Sequence, residues 1–122
     1  MPQVLCTDPL PQMFVDMCQA LLPKGVDFAA VPTMAEADFA RMAADAEVLF
    51  VLHRPIDAPL LALAPKVRLI QRNGIGYENI DLAAAAAAGI PVSYTPGANA
   101  GAVAEHTILL MLVVIKRFVA AE

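Results

Sequence analysis

Charge is scarce in this chain of 122 residues: Asp, Glu, Lys and Arg together make up 16% of it, against 59% apolar residues. An average soluble domain carries about 45–50% apolar residues. The composition therefore excludes disorder and predicts that some apolar surface needs a partner. The formal net charge is −4 and no basic block occurs, Lys116-Arg117 being the densest cationic spot. Strong attraction to a nucleic-acid backbone is excluded. Cysteine is nearly absent. Cys6 and Cys18 have a spacing that fits neither a zinc nor a redox motif, so they read as small buried hydrophobes of a reducing cytosol. Long hydrophobic runs are missing too: the longest, Ile108–Ile115, has eight residues, where about 18 are needed to cross a bilayer. The start, MPQVLCTDPLPQ, lacks the basic and apolar regions of a secretory signal. These absences predict a soluble cytoplasmic protein.

What is present reads as one domain, long enough to bury about two-thirds of its unfolded surface. Val4-Leu5-Cys6 is a short buried strand closed by Thr7-Asp8-Pro9. Met13, Phe14, Met17, Leu21 and Leu22 recur at helical spacing until Pro23 and Gly25 stop the helix. Val26–Val31 is a second strand. Thr33 with Glu36 forms a capping-box pattern for a helix from Met34 to about Asp45. Ala46–Leu52 is the third strand, continuously apolar from Val48 on, as in a strand covered on both faces. A short helix over Asp57–Ala64 follows, with Pro59 tolerated in its first turn. Val67–Asn73 is the fourth strand. Asp81 caps a helix over Leu82–Ala88 that Gly89 ends, and Pro91–Tyr94 is the fifth strand. The last helix runs from about Gly101 to Ala120 and is apolar all round over Ile108–Ile115.

Alternating strands and helices without an internal repeat predict an α/β fold. We expect a flavodoxin-like, parallel five-stranded sheet, order 2-1-3-4-5, with helices on both faces and one long C-terminal helix after it. Ligands of such sheets bind beyond the carboxyl ends of the strands, which here are Leu52–Pro55, Asn73–Tyr77 and Thr95–Asn99.

Gly74-Ile75-Gly76 directly follows an apolar strand. Its amides can form an anion nest suited to a small carboxylate, or the glycines can simply make a tight turn. A dinucleotide fingerprint needs a third glycine where this chain has Asn79, so the loop is no pyrophosphate cradle. Asn99 can cap the long helix or point its amide into the cleft. His53-Arg54 ends the best strand, where a cation can attract an anion or stay solvated. Glu105-His106 are neighbours on a helix and diverge by about 100°, which favours a structural or interface role. No Ser/His/Asp, Cys/His or metal-ligand spacing is evident.

The stretch NGIGYENIDLAAAAAAGIPVSYTPGANAGAVAEHTILLMLVVIKR resembles the NAD-dependent D-isomer-specific 2-hydroxyacid dehydrogenases, a family that includes phosphoglycerate, D-lactate and formate dehydrogenases. The G-x-G, E-N-I-D-L, G-I-x-V, P-G-x-N and V-A-E-H pieces stand in the family's order and spacing, and residues 1–70 agree in strand–helix order. The resemblance implies a substrate domain over 1–98 and, over 99–122, the helix that opens the NAD-binding domain. It implies that Ile75 and Gly76, with Gly74, hold a substrate carboxylate. Leu52, His53 and Arg54 line the same pocket, Asn99 orients substrate, and Val103 lies near the nicotinamide. It also implies a homodimer through helix 101–120. Glu78 stands where the family usually has Asp. The family's G-x-G-x-x-G and its catalytic Arg, Glu and His fall beyond these residues, so no catalytic residue is assigned, and His106, Glu105 and Arg54 are not that trio. The expected function is the N-terminal portion of an oxidoreductase moving hydride between NAD or NADP and a small 2-hydroxy or 2-oxo acid. The chain alone is expected to be inactive and to bind no cofactor. The alternative is a non-enzymatic, self-associating module that binds a small carboxylate, with a flavin-binding module as a third possibility.

Overall fold

The computed structural model describes residues 3–118. Strands and helices alternate as β1 (Val4–Cys6), α1 (Gln12–Leu21), β2 (Phe28–Ala30), α2 (Glu36–Ala43), β3 (Val48–Val51), α3 (Ala58–Ala62), β4 (Leu69–Arg72), α4 (Leu82–Ala87), β5 (Val92–Ser93) and α5 (Ala100–Ile115). The five strands form one sheet in the order β2-β1-β3-β4-β5. All four pairings are parallel. The order expected from the alternation is therefore the one found.

The core lies against one face of the sheet. Leu5, Leu49, Val51 and Ile70 point into it and meet Phe39 and Ala43 of α2, Leu60 and Leu61 of α3, and Ala85 of α4. Ala85 is the inward alanine of the hexa-alanine run. Small side chains there let α4 approach closely, and alanine favours the helix itself. α1 lies on the opposite face, where Phe14 and Cys18 meet Phe50 and Leu52 along a groove of about 270 Å³.

That second face is less covered than the apolar run of β3 led us to expect. Leu49 and Val51 are buried, but Val48 and Phe50 are only half-buried. α1 has no buried residue. Its packed side is Val15, Cys18 and Leu22, all half-buried, while Met13, Phe14, Met17 and Leu21 stay exposed. The apolar spacing located the helix, and of the five residues that carry it only Leu22 lies on the packed side.

Helix ends follow local chemistry. Asp57 accepts from Leu60 N–H at 3.0 Å and Asp81 from Ala84 N–H at 2.9 Å. Such a cap stabilises a helix by about 1 kcal/mol. Gly89 adopts φ 69° just after α4, as a terminating glycine should. The capping box at α2 does not form. Thr33 instead accepts from Ala35 N–H and donates to Asp38, and the helix starts two residues later than expected, at Glu36. α5 is also shorter than expected. Arg117 turns to φ 49° and Lys116–Phe118 leave the α-helix. The expected stretch 119–120 lies outside the described residues.

Candidate functional site

The carboxyl ends of β1, β3, β4 and β5 bring three loops together. The turn Leu52–Arg54 leaves β3. Its amides converge on Asp8 at the end of β1: Leu52 N–H donates at 3.3 Å, His53 N–H at 3.0 Å and Arg54 N–H at 3.1 Å. The Thr7 hydroxyl donates to the same carboxylate at 2.8 Å. Burial pushes the Asp8 carboxyl up, but the hydrogen bonds from Thr7, His53, Arg54 and Leu52 outweigh it and hold its pKa below the usual carboxylate value. In the sequence Asp8 is marked only as a strand terminator, through the motif Thr-Asp-Pro.

Arg54 departs from both sequence readings. It is neither solvated nor turned towards an anion. Its side chain is buried at 5% exposure. Nε donates to Thr7 O at 2.6 Å, Nη2 donates to Thr33 O at 3.4 Å, and the guanidinium lies 5.3 Å from the Phe39 ring centroid. The group is committed to tying β1, β2 and α2 together. Leu52 is half-buried and His53 points outward, 3.9 Å from Asp8 through Nδ1.

Gly74-Ile75-Gly76 leaves β4. Gly74 takes φ 137°, a conformation that other residues adopt only with strain. Its N–H donates to Thr95 Oγ1 at 2.7 Å, and its carbonyl accepts from Thr95 N–H at 3.0 Å. The loop is thus fastened to the end of β5. The next two amides, Ile75 and Gly76, have no hydrogen-bond partner among the described residues. Ile75 is half exposed. A Cβ on Gly76 would stand 2.5 Å from Glu78 Oε2, so the Glu78 carboxylate leans over the loop. Beneath it, Arg72 donates through Nη1 to Val51 O at 3.4 Å and also to Asn73 O.

Asn79 answers what replaces the third glycine. Its side-chain amide donates to Leu52 O at 3.3 Å and Arg54 O at 2.9 Å, and its own carbonyl accepts from Ile56 N–H at 2.7 Å. This side chain sits between the two loops, where a pyrophosphate would need open backbone. The loop therefore does not fit a dinucleotide.

Asn99 stands at the N-cap of α5, but its side chain makes no capping hydrogen bond. The capping alternative is thereby set aside. Asn99 and Val103 are both exposed. So are Glu105 and His106, on a helix without a buried residue. No group of three or more metal-ligating side chains occurs among the described residues. No helix there is long and apolar enough to cross a membrane.

The family model of the D-isomer specific 2-hydroxyacid dehydrogenase catalytic domain matches residues 4–120. Glyoxylate reductase of Thermofilum pendens is 30% identical over 99% of this chain, which covers 36% of that protein. D-3-phosphoglycerate dehydrogenase of Mycobacterium tuberculosis is 39% identical over 55% of this chain, covering 13% of its own length. The 3-phosphoglycerate dehydrogenase of Entamoeba histolytica, solved with NAD+ bound, superposes with a TM-score of 0.77 at 28% identity. That superposition spans 93% of this chain and 39% of the other. The chain thus spans well under half the length of these relatives.

Proposed function

The chain belongs to the D-isomer specific 2-hydroxyacid dehydrogenase family, and from that premise we propose that it supplies one wall of a site for small 2-hydroxy and 2-oxo acids. The substrate carboxylate is received by the N–H groups of Ile75 and Gly76. The observation that carries this reading is that these two successive amides are unpartnered among the described residues while Gly74, before them, is held by Thr95. Successive free N–H groups favour an anion, and a fixed neighbour spares the cost of ordering them.

Leu52 and His53 form the facing lip, and the free amide of Asn99 orients the guest from the end of β5. Arg54 acts behind this lip and not on the guest, since its side chain is buried and its Nε and Nη2 donate to Thr7 O and Thr33 O. Glu78 swings away when a carboxylate enters. Its side chain is exposed, so the movement is cheap.

The proposed reaction is hydride transfer between NAD or NADP and the bound acid. The cofactor supplies the hydride chemistry when bound. The Gly74–Gly76 loop does not serve as its pyrophosphate site, and Val103 offers an apolar contact near the nicotinamide. These 122 residues are expected to be without turnover by themselves. Two free thiols suit work in a reducing cytoplasm.

α5 carries the partner proposal. Ile108–Leu112, Val114 and Ile115 are each more than half exposed on a helix with no polar side. A helix apolar all round requires cover. We assign that cover to α5 of a second copy in a twofold dimer. The same face keeps the non-enzymatic reading open, in which the chain self-associates and binds a carboxylate without reacting it.

The experiment is a titration of 15N-labelled chain with oxamate, a 2-oxo acid analogue. Shifts centred on Ile75 and Gly76 are expected, and their absence sinks the reading. NADH with glyoxylate, hydroxypyruvate or pyruvate should give no turnover by the chain alone. Sedimentation at micromolar concentration should report a dimer, and a monomer refutes the helix pairing.

A further inference from the structure

The turn Leu52–Arg54 has little backbone left to offer a ligand. Its three N–H groups face the Asp8 carboxylate. Its first and last carbonyls accept from the Asn79 side chain. A resident anion fills the nest at one end, and a resident amide holds the other. Asn79 belongs to the segment that follows Gly74–Gly76, and it is fixed there by further backbone bonds. Ile56 N–H donates to Asn79 O at 2.7 Å, Asp81 N–H donates to Ile56 O at 2.8 Å, and Ile56 bridges Ile80 in parallel. A continuous hydrogen-bonded path therefore runs from the end of β1, through the turn after β3, to the loop after β4.

We propose that Asp8 and Asn79 are positioning residues that lock the Leu52–Arg54 turn to the Gly74–Gly76 loop, so that the two lips of the carboxylate site hold one spacing. The inference rests on the reading of Ile75 and Gly76 given above and adds what aligns them. It also assigns the turn a narrower part than a pocket wall with its own amides. An anionic guest finds the turn's N–H groups already occupied, so it is directed to Ile75 and Gly76. The turn reaches that guest through its side chains and not its amides, foremost through His53, which is 87% exposed. Asp8 is 5% exposed, and a buried carboxylate with this many donors holds its neighbours firmly.

The test uses the whole 122-residue chain, labelled with 15N, as wild type, Asp8→Asn, Asn79→Ala and the double variant. Asp8→Asn keeps the shape and replaces one acceptor oxygen by a donor. Amide exchange at His53 and Arg54 should speed up roughly tenfold in Asp8→Asn. The amide signals of Ile75 and Gly76 should move in both single variants, although neither residue is bonded to Asp8 or to the Asn79 side chain. Oxamate affinity should fall roughly tenfold in each. The double variant should be little worse than the weaker single, because both changes break one path.

The proposal is overturned if exchange rises at residues 52–54 while Ile75, Gly76 and oxamate affinity stay as in the wild type. Strictly additive losses in the double variant overturn it as well. Should wild type show no oxamate shifts at Ile75 and Gly76, the carboxylate reading fails, and the lock is then judged on signal movement and exchange alone. If Asp8→Asn does not fold, Asn79→Ala carries the test, because Asn79 is half-buried and its loss leaves the core untouched.

Discussion

Replacing Arg54 by alanine separates a structural cation from a ligand-binding one. The side chain is buried, gives a short hydrogen bond from Nε to Thr7 O, and lies over the fully buried Phe39 ring. A hydrogen bond from a charged group contributes about 1.5–3 kcal/mol. A desolvated cation over an aromatic face adds about 1–2 kcal/mol, and the apolar stem packs besides. Truncation should therefore remove about 3–5 kcal/mol. That is a large part of the 5–15 kcal/mol typical of a domain (about 0.1 kcal/mol per residue). In a chain of this size the melting temperature should fall by roughly 10–20 °C. Arg54→Lys should recover less than half, since an ammonium lacks the planar fork and stacks poorly. Circular dichroism is the suitable probe, because the chain has no tryptophan. Oxamate titration under conditions where the variant is folded gives the second reading. A melting point within about 3 °C of wild type, together with lost oxamate binding, would refute the reasoning and return Arg54 to the site.

Further outcomes follow from the geometry. Gly74→Ala should destabilise by about 1–3 kcal/mol in urea titrations, because alanine must adopt φ 137° beside the Arg72 guanidinium. Gly76→Ala should cost less than Gly74→Ala, since its clash is with the movable end of Glu78, and Glu78→Gln should tighten oxamate binding by removing a like charge. Asp8 has a folded pKa below its ordinary value of 3.8, so its contribution to stability is present above that value and is lost as pH falls through the lower folded one. Unfolding curves between about pH 5 and pH 2 should show this acid limb in wild type and a flatter limb in Asp8→Asn. With a thiol reagent at pH 8, Cys18 should react well before Cys6, which is fully buried with its thiol pushed up to about 11 by burial.

The strand order was legible because short stretches with an apolar centre alternate with helical spacing. Caps at Asp81 and Gly89 were legible because a cap and its target are three or four residues apart. What escaped the sequence spans longer distances. Asp8 meets its amide partners 44 to 46 residues further along. Arg54 meets Thr7 across 47. Asn79 reaches back 25 to 27. Residue type alone does not reveal such partners, so Arg54 was read from its position at a strand end and Asn79 only as a missing glycine. The packed side of α1 is not set by its spacing either. Its sequence has apolar residues on more than one side, and only the sheet decides which side packs.

β1 is three residues long and stands between β2 and β3, pairing with both. Each of its partners is separated from it by at least one helix, and no hairpin anywhere in the sheet offers a local start. Folding must therefore close a loop across a helix before β1 gains a neighbour, and parallel pairing of this kind is intrinsically slow. On the ribosome, Val4–Cys6 emerges before β2 and β3 and waits unpaired for both. A mutation that slows the arrival of β3 would lengthen the time this strand spends open to wrong partners, even if the finished structure were unchanged.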